Sequence, residues 1–210
     1  MTARELLEDV HRELAPVELA IRTHRYLATA PPEQSLRAFA GEQYTILRSD
    51  RRSFATLAAR FPEPPAGDFF IGLAQGEVEA LARLLALAAS LGFGEAGLAD
   101  YEPQPGCQAY PAFVSWLALN GSRADVALGL LANLAAWGDN CRRLAGLLQG
   151  RCEISFFEFF AQPAAGFEDH ALTVAEVGLA AGDSAAGARR CARLLQAYEL
   201  LFWDTVADAL

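Results

Sequence analysis

Apolar residues recur at intervals of three and four along almost the whole 210-residue chain, and no run of β-branched residues alternates with polar ones between turn signals. That period suits α-helices and leaves no segment for a sheet. The chain is therefore expected to be all-α, with seven or eight helices joined by short connections into an antiparallel bundle.

The breaks in the period divide the chain. A first helix is expected over residues 3–28, with an apolar row at Leu6, Val10, Leu14, Val17 and Ile21, bent or divided at Pro16. Pro31 and Pro32 end it, and Pro32 with Glu33 suits the opening of a second helix over 33–61. PEPPAG at 62–67 stops that one. A third runs from about Asp68 to Leu91 and ends at GFGEAG, 92–97, read as a loop. After the loop YEPQPG a helix resumes near Pro111 and reaches Leu119, before an NGS turn at 120–122. The helix from Arg123 to about Leu148 is the most apolar, which places it at the centre. A short aromatic segment, ISFFEFF, precedes PAAG at 163–166; a helix follows from Phe167 to Ala181, and GDS at 182–184 caps a last helix that runs to the end.

A chain that is 53% hydrophobic, with 13 Phe, can bury one sizeable core, and a single domain over 1–210 is expected. The net charge of −9, with only 17 basic residues, supplies no stripe able to release counterions from a polyanion. Nucleic acid and anionic membrane are excluded as partners on that ground, leaving a small molecule or another protein. The apolar runs Val126–Trp137 and Leu84–Leu91 are shorter than the roughly 20 residues that span a bilayer. The N-terminal MTARELLEDVHREL lacks the apolar stretch of a secretory signal, so a soluble, cytoplasmic protein is the expectation. Its four cysteines form no CxxC pair and read as free thiols. The high apolar fraction also permits association into a homo-oligomer through an exposed apolar face.

The stretch YELLFWD contains a contradiction. On a helix, Glu199 shares a row with Leu195, Phe202, Trp203 and Val206, while Asp204 and Asp208 fall on the wet side. A carboxylate on an apolar row must be paired, hydrogen-bonded or protonated. It is either a structural pair, with Trp203 and Tyr198 as ready partners, or a site acid or base. Asn133 poses the same question within LGLLANLAAW: it bonds a neighbouring helix, or it faces a cavity and a ligand. Cys141, two turns further on, reads as a small hydrophobe. Neither a phosphate-binding glycine motif nor a nucleophile elbow is present.

Several of these residues fall together in one pattern. His24-Arg25-Tyr26, then Leu36-Arg37-x-Phe39-Ala40-x-x-Gln43-Tyr44, Ala109-Tyr110, the long apolar helix after NGS, and Tyr198-Glu199-x-x-Phe202-Trp203 resemble the TenA/PqqC/CADD-like family over nearly the whole chain. The resemblance implies a heme-oxygenase-like helical bundle with an enclosed pocket for a small heterocyclic molecule, such as an amino-pyrimidine of thiamine metabolism. In TenA-type enzymes a Cys on the long helix is the nucleophile, and a Glu in the Glu-x-x-Phe-Trp context binds the amino-pyrimidine and moves protons. Glu199 matches that Glu and is the expected catalytic residue. The Cys position holds Asn133, within Leu130-Leu131-Ala132-Asn133, and an amide cannot form the covalent intermediate. If the chain is an enzyme, it is then a TenA-like hydrolase in which Glu199 activates water directly.

The expected substrate contacts are Asn133, Tyr44, Tyr110, Trp137 and Trp203, where Tyr44 stands in place of the acid that follows Gln in TenA. Two alternatives remain. One is a CADD- or PqqC-like oxidase binding iron or manganese, for which Glu42, Glu77, Glu79 and His170 are the available ligands, although a di-metal site needs His on three helices and only His170 fits. The other is a non-catalytic binding protein without a cofactor.

Overall fold

The structure, a computed structural model, describes residues 1–208. Among them are nine α-helices and no strand: α1 Ala3–Arg22, α2 Glu33–Arg60, α3 Ala66–Ser90, α4 Glu95–Ala99, α5 Pro105–Asn120, α6 Arg123–Leu148, α7 Ser155–Ala161, α8 Phe167–Ala180 and α9 Ala185–Asp208. The all-α class and most boundaries agree with the periodicity; the expected run of the last helix into residues 209 and 210 lies outside the described residues.

Four local expectations are corrected. The first helix stops at Arg22, because His24 turns its ring back to accept from the Tyr26 amide at 3.2 Å and caps a separate 3-10 turn, Arg25–Leu27. Pro16 is carried inside α1 without dividing it. The glycine-rich stretch after α3 holds a short helix, α4, which raises the count to nine. The fifth helix begins at Pro105, whose missing amide hydrogen has no intrahelical role in a first turn, and continues through Pro111. The NGS turn does start α6: Ser122 accepts from the Asp125 amide at 3.2 Å, and the Asp125 carboxylate accepts from the Ser122 amide at 2.9 Å.

The apolar residues assemble into two cores rather than one. Along α6, Val126 to Ala132 belong to the first and Ala136 to Leu148 to the second. The division recurs on the helices around it. On α9 the first core takes Ala188 to Leu195 and the second Phe202 to Val206; on α2, Phe54 and Leu57 join the first and Leu36 to Leu47 the second. On α3, Phe69 and Phe70 lie in the first, Ala80 and Leu84 in the second. At the level between the cores these four helices carry Asn133, Glu199, Asp50 and Glu77 respectively. No described helix is long and apolar enough to cross a membrane.

Close approach of α6 to α9 sets the width of that level. A Cβ on Gly129 would stand 2.9 Å from Leu195 Cδ1 and 3.5 Å from Cys191 Cβ, whereas one on Gly146 of the same helix would meet nothing within 4 Å. Replacing Gly129 by Leu is therefore expected to lower stability by about 1–3 kcal/mol, the usual cost of overpacking. Gly146→Leu should leave the melting temperature unchanged or slightly raised; thermal melts of the two variants compare them directly.

Candidate functional site

A cavity of about 650 Å³ occupies the level between the two cores. Asp50 and Phe54 of α2, Glu77 of α3, Tyr110 of α5, Asn133 of α6 and Glu199 of α9 are on its wall. It extends to the exposed loop 162–166, between α7 and α8. Arg142 holds the start of that loop by donating to the Ala161 carbonyl at 2.7 Å.

Glu199 is 4% exposed and Asn133 3%. Asn133 Nδ2 donates to Glu199 Oε2 at 2.5 Å, and Trp203 Nε1, one turn along α9, donates to Oε1 at 3.1 Å. Burial pushes the Glu199 carboxyl up to about 8, against the pull of these two hydrogen bonds. At neutral pH it therefore keeps its proton while facing the cavity. The polar row bonds α6 to α9, as the structural reading expects, and it also lines a cavity. Tyr198, the other partner expected for Glu199, instead packs its ring on Phe113 at 5.5 Å.

The four expected aromatic walls separate into two groups. Tyr110 and Trp137 line the cavity, and Trp137 stands edge-on to Phe202, itself a lining residue, at 5.9 Å. Trp203 and Tyr44 do not line it. Trp203 is fully buried behind Glu199, packed on Trp137 at 5.4 Å and on Tyr26 at 5.7 Å. Tyr44 is buried in the second core under the guanidinium of Arg48, 5.0 Å from its ring centre. Cys141, beyond the cavity wall on α6, has its thiol pushed well up by burial and by the nearby Glu199, which keeps it from acting as a thiolate.

The four candidate metal ligands are scattered. Glu42 pins α5 to α2 by accepting from the Tyr101 hydroxyl at 3.0 Å, the Gln104 amide at 2.7 Å and Gln108 Nε2 at 3.1 Å. Glu79 is exposed and pairs with Arg83 one turn away at 3.4 Å. His170 reaches the cavity, and its Nε2 donates to the Pro65 carbonyl at 3.1 Å. Only Glu77 has another acid beside it, Asp50. Among the described residues no three His, Cys, Asp or Glu side chains converge as a metal ion requires.

Asp50 was not foreseen as a site residue, and it is 4% exposed. The signal was the same as at Glu199: Gln43, Leu47, Asp50 and Phe54 fall on one helical row, as do Phe70, Leu73, Glu77, Ala80 and Leu84. The basic surroundings of Asp50, in LRSDRRS, mask its row. Burial pushes the Asp50 carboxyl up to about 8 and the Glu77 carboxyl well above its ordinary range, Asp50 adding to the effect on Glu77. Gly72 and Gly76 of α3, where a Cβ would meet nothing within 4 Å, leave space beside Glu77.

A search of curated proteins gave no match. Among solved structures, the chain is similar to a TenA homologue from Pyrococcus furiosus at 18% identity, with 96% of this chain and 99% of that one covered and a TM-score of 0.76. It is similar to a TenA homologue from P. horikoshii at 15% identity, covering 98% and 99%, with a TM-score of 0.80. A domain of unknown function from Shewanella denitrificans described as having a heme oxygenase-like fold matches at 13% identity over 99% of this chain and 89% of that one, TM-score 0.66. These likenesses give the bundle its class, the heme-oxygenase-like fold. The model of the TENA/THI-4/PQQC family matches residues 24–209, and the chain, with its buried Glu199 between two apolar cores, belongs to that family.

Proposed function

We propose that the cavity binds a small planar nitrogen heterocycle, best suited by an amino-pyrimidine related to thiamine, with Glu199 as its polar anchor and proton carrier. The observation that carries this reading is the Asn133–Glu199–Trp203 chain of hydrogen bonds on the wall of a ligand-sized cavity. A carboxyl that keeps its proton offers a donor and an acceptor side by side, the complement of a ring nitrogen beside an exocyclic amino group. Trp137, Tyr110 and Phe202 add flat apolar surface of the kind that holds an aromatic ring. Family membership and the likeness of the Tyr198–Trp203 stretch to TenA favour the same ligand class.

Asn133 carries no nucleophile, so hydrolysis of such a ligand would use water. Once Glu199 has passed its own proton to the ring nitrogen, the carboxylate takes a proton from the water as the water oxygen bonds to the carbon bearing the leaving amine, gives that proton to the amine as the carbon–nitrogen bond breaks, and recovers its own from the ring. Trp203 and Asn133 hold the carboxyl still throughout. The free thiols, three of them buried, are in keeping with the reducing cytoplasm proposed as the site of action.

The test uses 4-aminopyrimidine and thermal shift, since a ligand that binds only the folded chain raises the melting temperature. Wild type is expected to respond and Glu199→Leu, which has neither donor nor acceptor, to lose the response. Above pH 8 the ionised carboxyl faces the ring nitrogen acceptor to acceptor, so affinity should fall by about tenfold per pH unit. Asp50 and Glu77 titrate on the same wall, so Glu199→Gln is the control: it keeps binding and flattens the profile. A wild-type affinity constant from pH 7 to pH 9.5 would refute the anchor. For turnover, Glu199→Gln should lower hydrolysis by about a hundredfold to ten-thousandfold; full activity would remove Glu199 from the chemistry.

A further inference from the structure

Asp50 and Glu77 face the cavity from α2 and α3 and have no role in the chemistry assigned to Glu199. Asp50 Oδ1 and Glu77 Oε2 are sealed from solvent and have no hydrogen-bond partner. Neither carboxyl bonds to any described residue, and neither has an arginine or histidine beside it to compensate its charge. An orphaned buried acceptor destabilises the fold, and two on facing helices are not an economical way to pack a bundle. A bundle joined only for stability would carry apolar side chains here, as it does one turn away at Leu47, Phe54 and Leu73.

We infer that Asp50 and Glu77 form a second polar end of the cavity, a clasp for a cationic nitrogen group, a protonated amine or an amidinium, carried on the aromatic ligand. Such a group brings several N–H donors to the two carboxyls and supplies the positive charge that neither has beside it. Without it, the two acids relieve their mutual repulsion by keeping protons, as burial already favours; the arriving cation displaces them. Tyr110 is common to both ends. Its hydroxyl is pushed well up by burial first, then by Asp50, Glu77 and Glu199, which places all three acids within electrostatic reach of one phenol. The ligand class becomes narrower than a planar heterocycle: a ring anchored at Glu199 with a basic substituent directed at α2 and α3. The open space over Gly72 and Gly76 admits that substituent next to Glu77.

This inference rests on the preceding reading only in taking the cavity as a binding site, and its probes do not need Glu199. Benzamidine and benzylamine, both cations at about pH 7.5, are compared with benzamide and benzyl alcohol, their neutral counterparts, by calorimetry on the full chain. Wild type is expected to bind each cation at least about tenfold more tightly than its neutral counterpart, a difference on the order of one well-placed charge-assisted contact. Asp50→Asn and Glu77→Gln should each reduce the preference, and the double variant should erase it. Neither substitution removes a hydrogen bond among the described residues, so the fold is kept, as melts will verify. Wild type alone provides a second readout: titrations in two buffers of different ionisation enthalpy should show protons released by the cations and none by the neutral probes. The other ionisable groups on the wall are Tyr110 on α5, Glu199 on α9 and His170 on α8, with Asp68, Asp139 and Arg142 the remaining charged ones.

Equal binding of cations and neutral probes, no binding of either cation, or a preference that survives in the double variant would each overturn the clasp. The two readings fail separately. A cation preference retained in Glu199→Leu, with 4-aminopyrimidine response unaltered by that change, leaves the clasp and removes the anchor. A Glu199-dependent 4-aminopyrimidine response with no cation preference does the reverse.

Discussion

The structure depends on one constraint: four helices interrupt their apolar rows at the same height. Asn133 on α6, Glu199 on α9, Asp50 on α2 and Glu77 on α3 all fall between the two cores, and the cavity is the space that their shared level leaves open. Apolar side chains there would let the cores fuse. Polar groups in low dielectric resist that, because closing on them would bury unsatisfied oxygens more completely. The short bond between Asn133 and Glu199 ties the two central helices across the gap, so the level is fixed in width on one side and open on the other.

The fold was largely legible because it rests on periodicity. The boundaries of α2 and α6, the capping signal of NGS and the burial of the row around Glu199 all follow from residue spacing alone. What failed was local chemistry competing with a general rule. Pro16 and Pro111 are normally breakers, yet each is carried inside a helix; Pro105 is a breaker in the middle of a helix but a good first-turn residue. The helix α4 lies in a glycine-rich stretch whose composition points to a loop.

The site was legible in part, and unevenly. Asn133 and Glu199 announced themselves by standing on apolar rows, and the cavity contains both. Tyr44 and Trp203 were expected to be walls because they stand in the stretches that resemble the family, but a helix has a front and a back. Trp203 sits behind Glu199 as its hydrogen-bond donor, and Tyr44 packs away from the gap. Asp50 and Glu77 carried the same signal as Glu199, obscured by charged neighbours that belong to the wet face of the same helices. Which carboxylates face inward is set by helix rotation, and rotation is visible only when the whole row is traced.

Asn133, at the centre of α6, does more than line a cavity. A thiol gives little hydrogen bonding, whereas an amide donates to Glu199 and fixes the rotation of two helices about each other. The side chain that offers no nucleophile is a latch in the scaffold. A molecule seated at this level would touch both cores and all four helices that border it, so its presence would be transmitted as a change in how cooperatively the two halves of the bundle come apart.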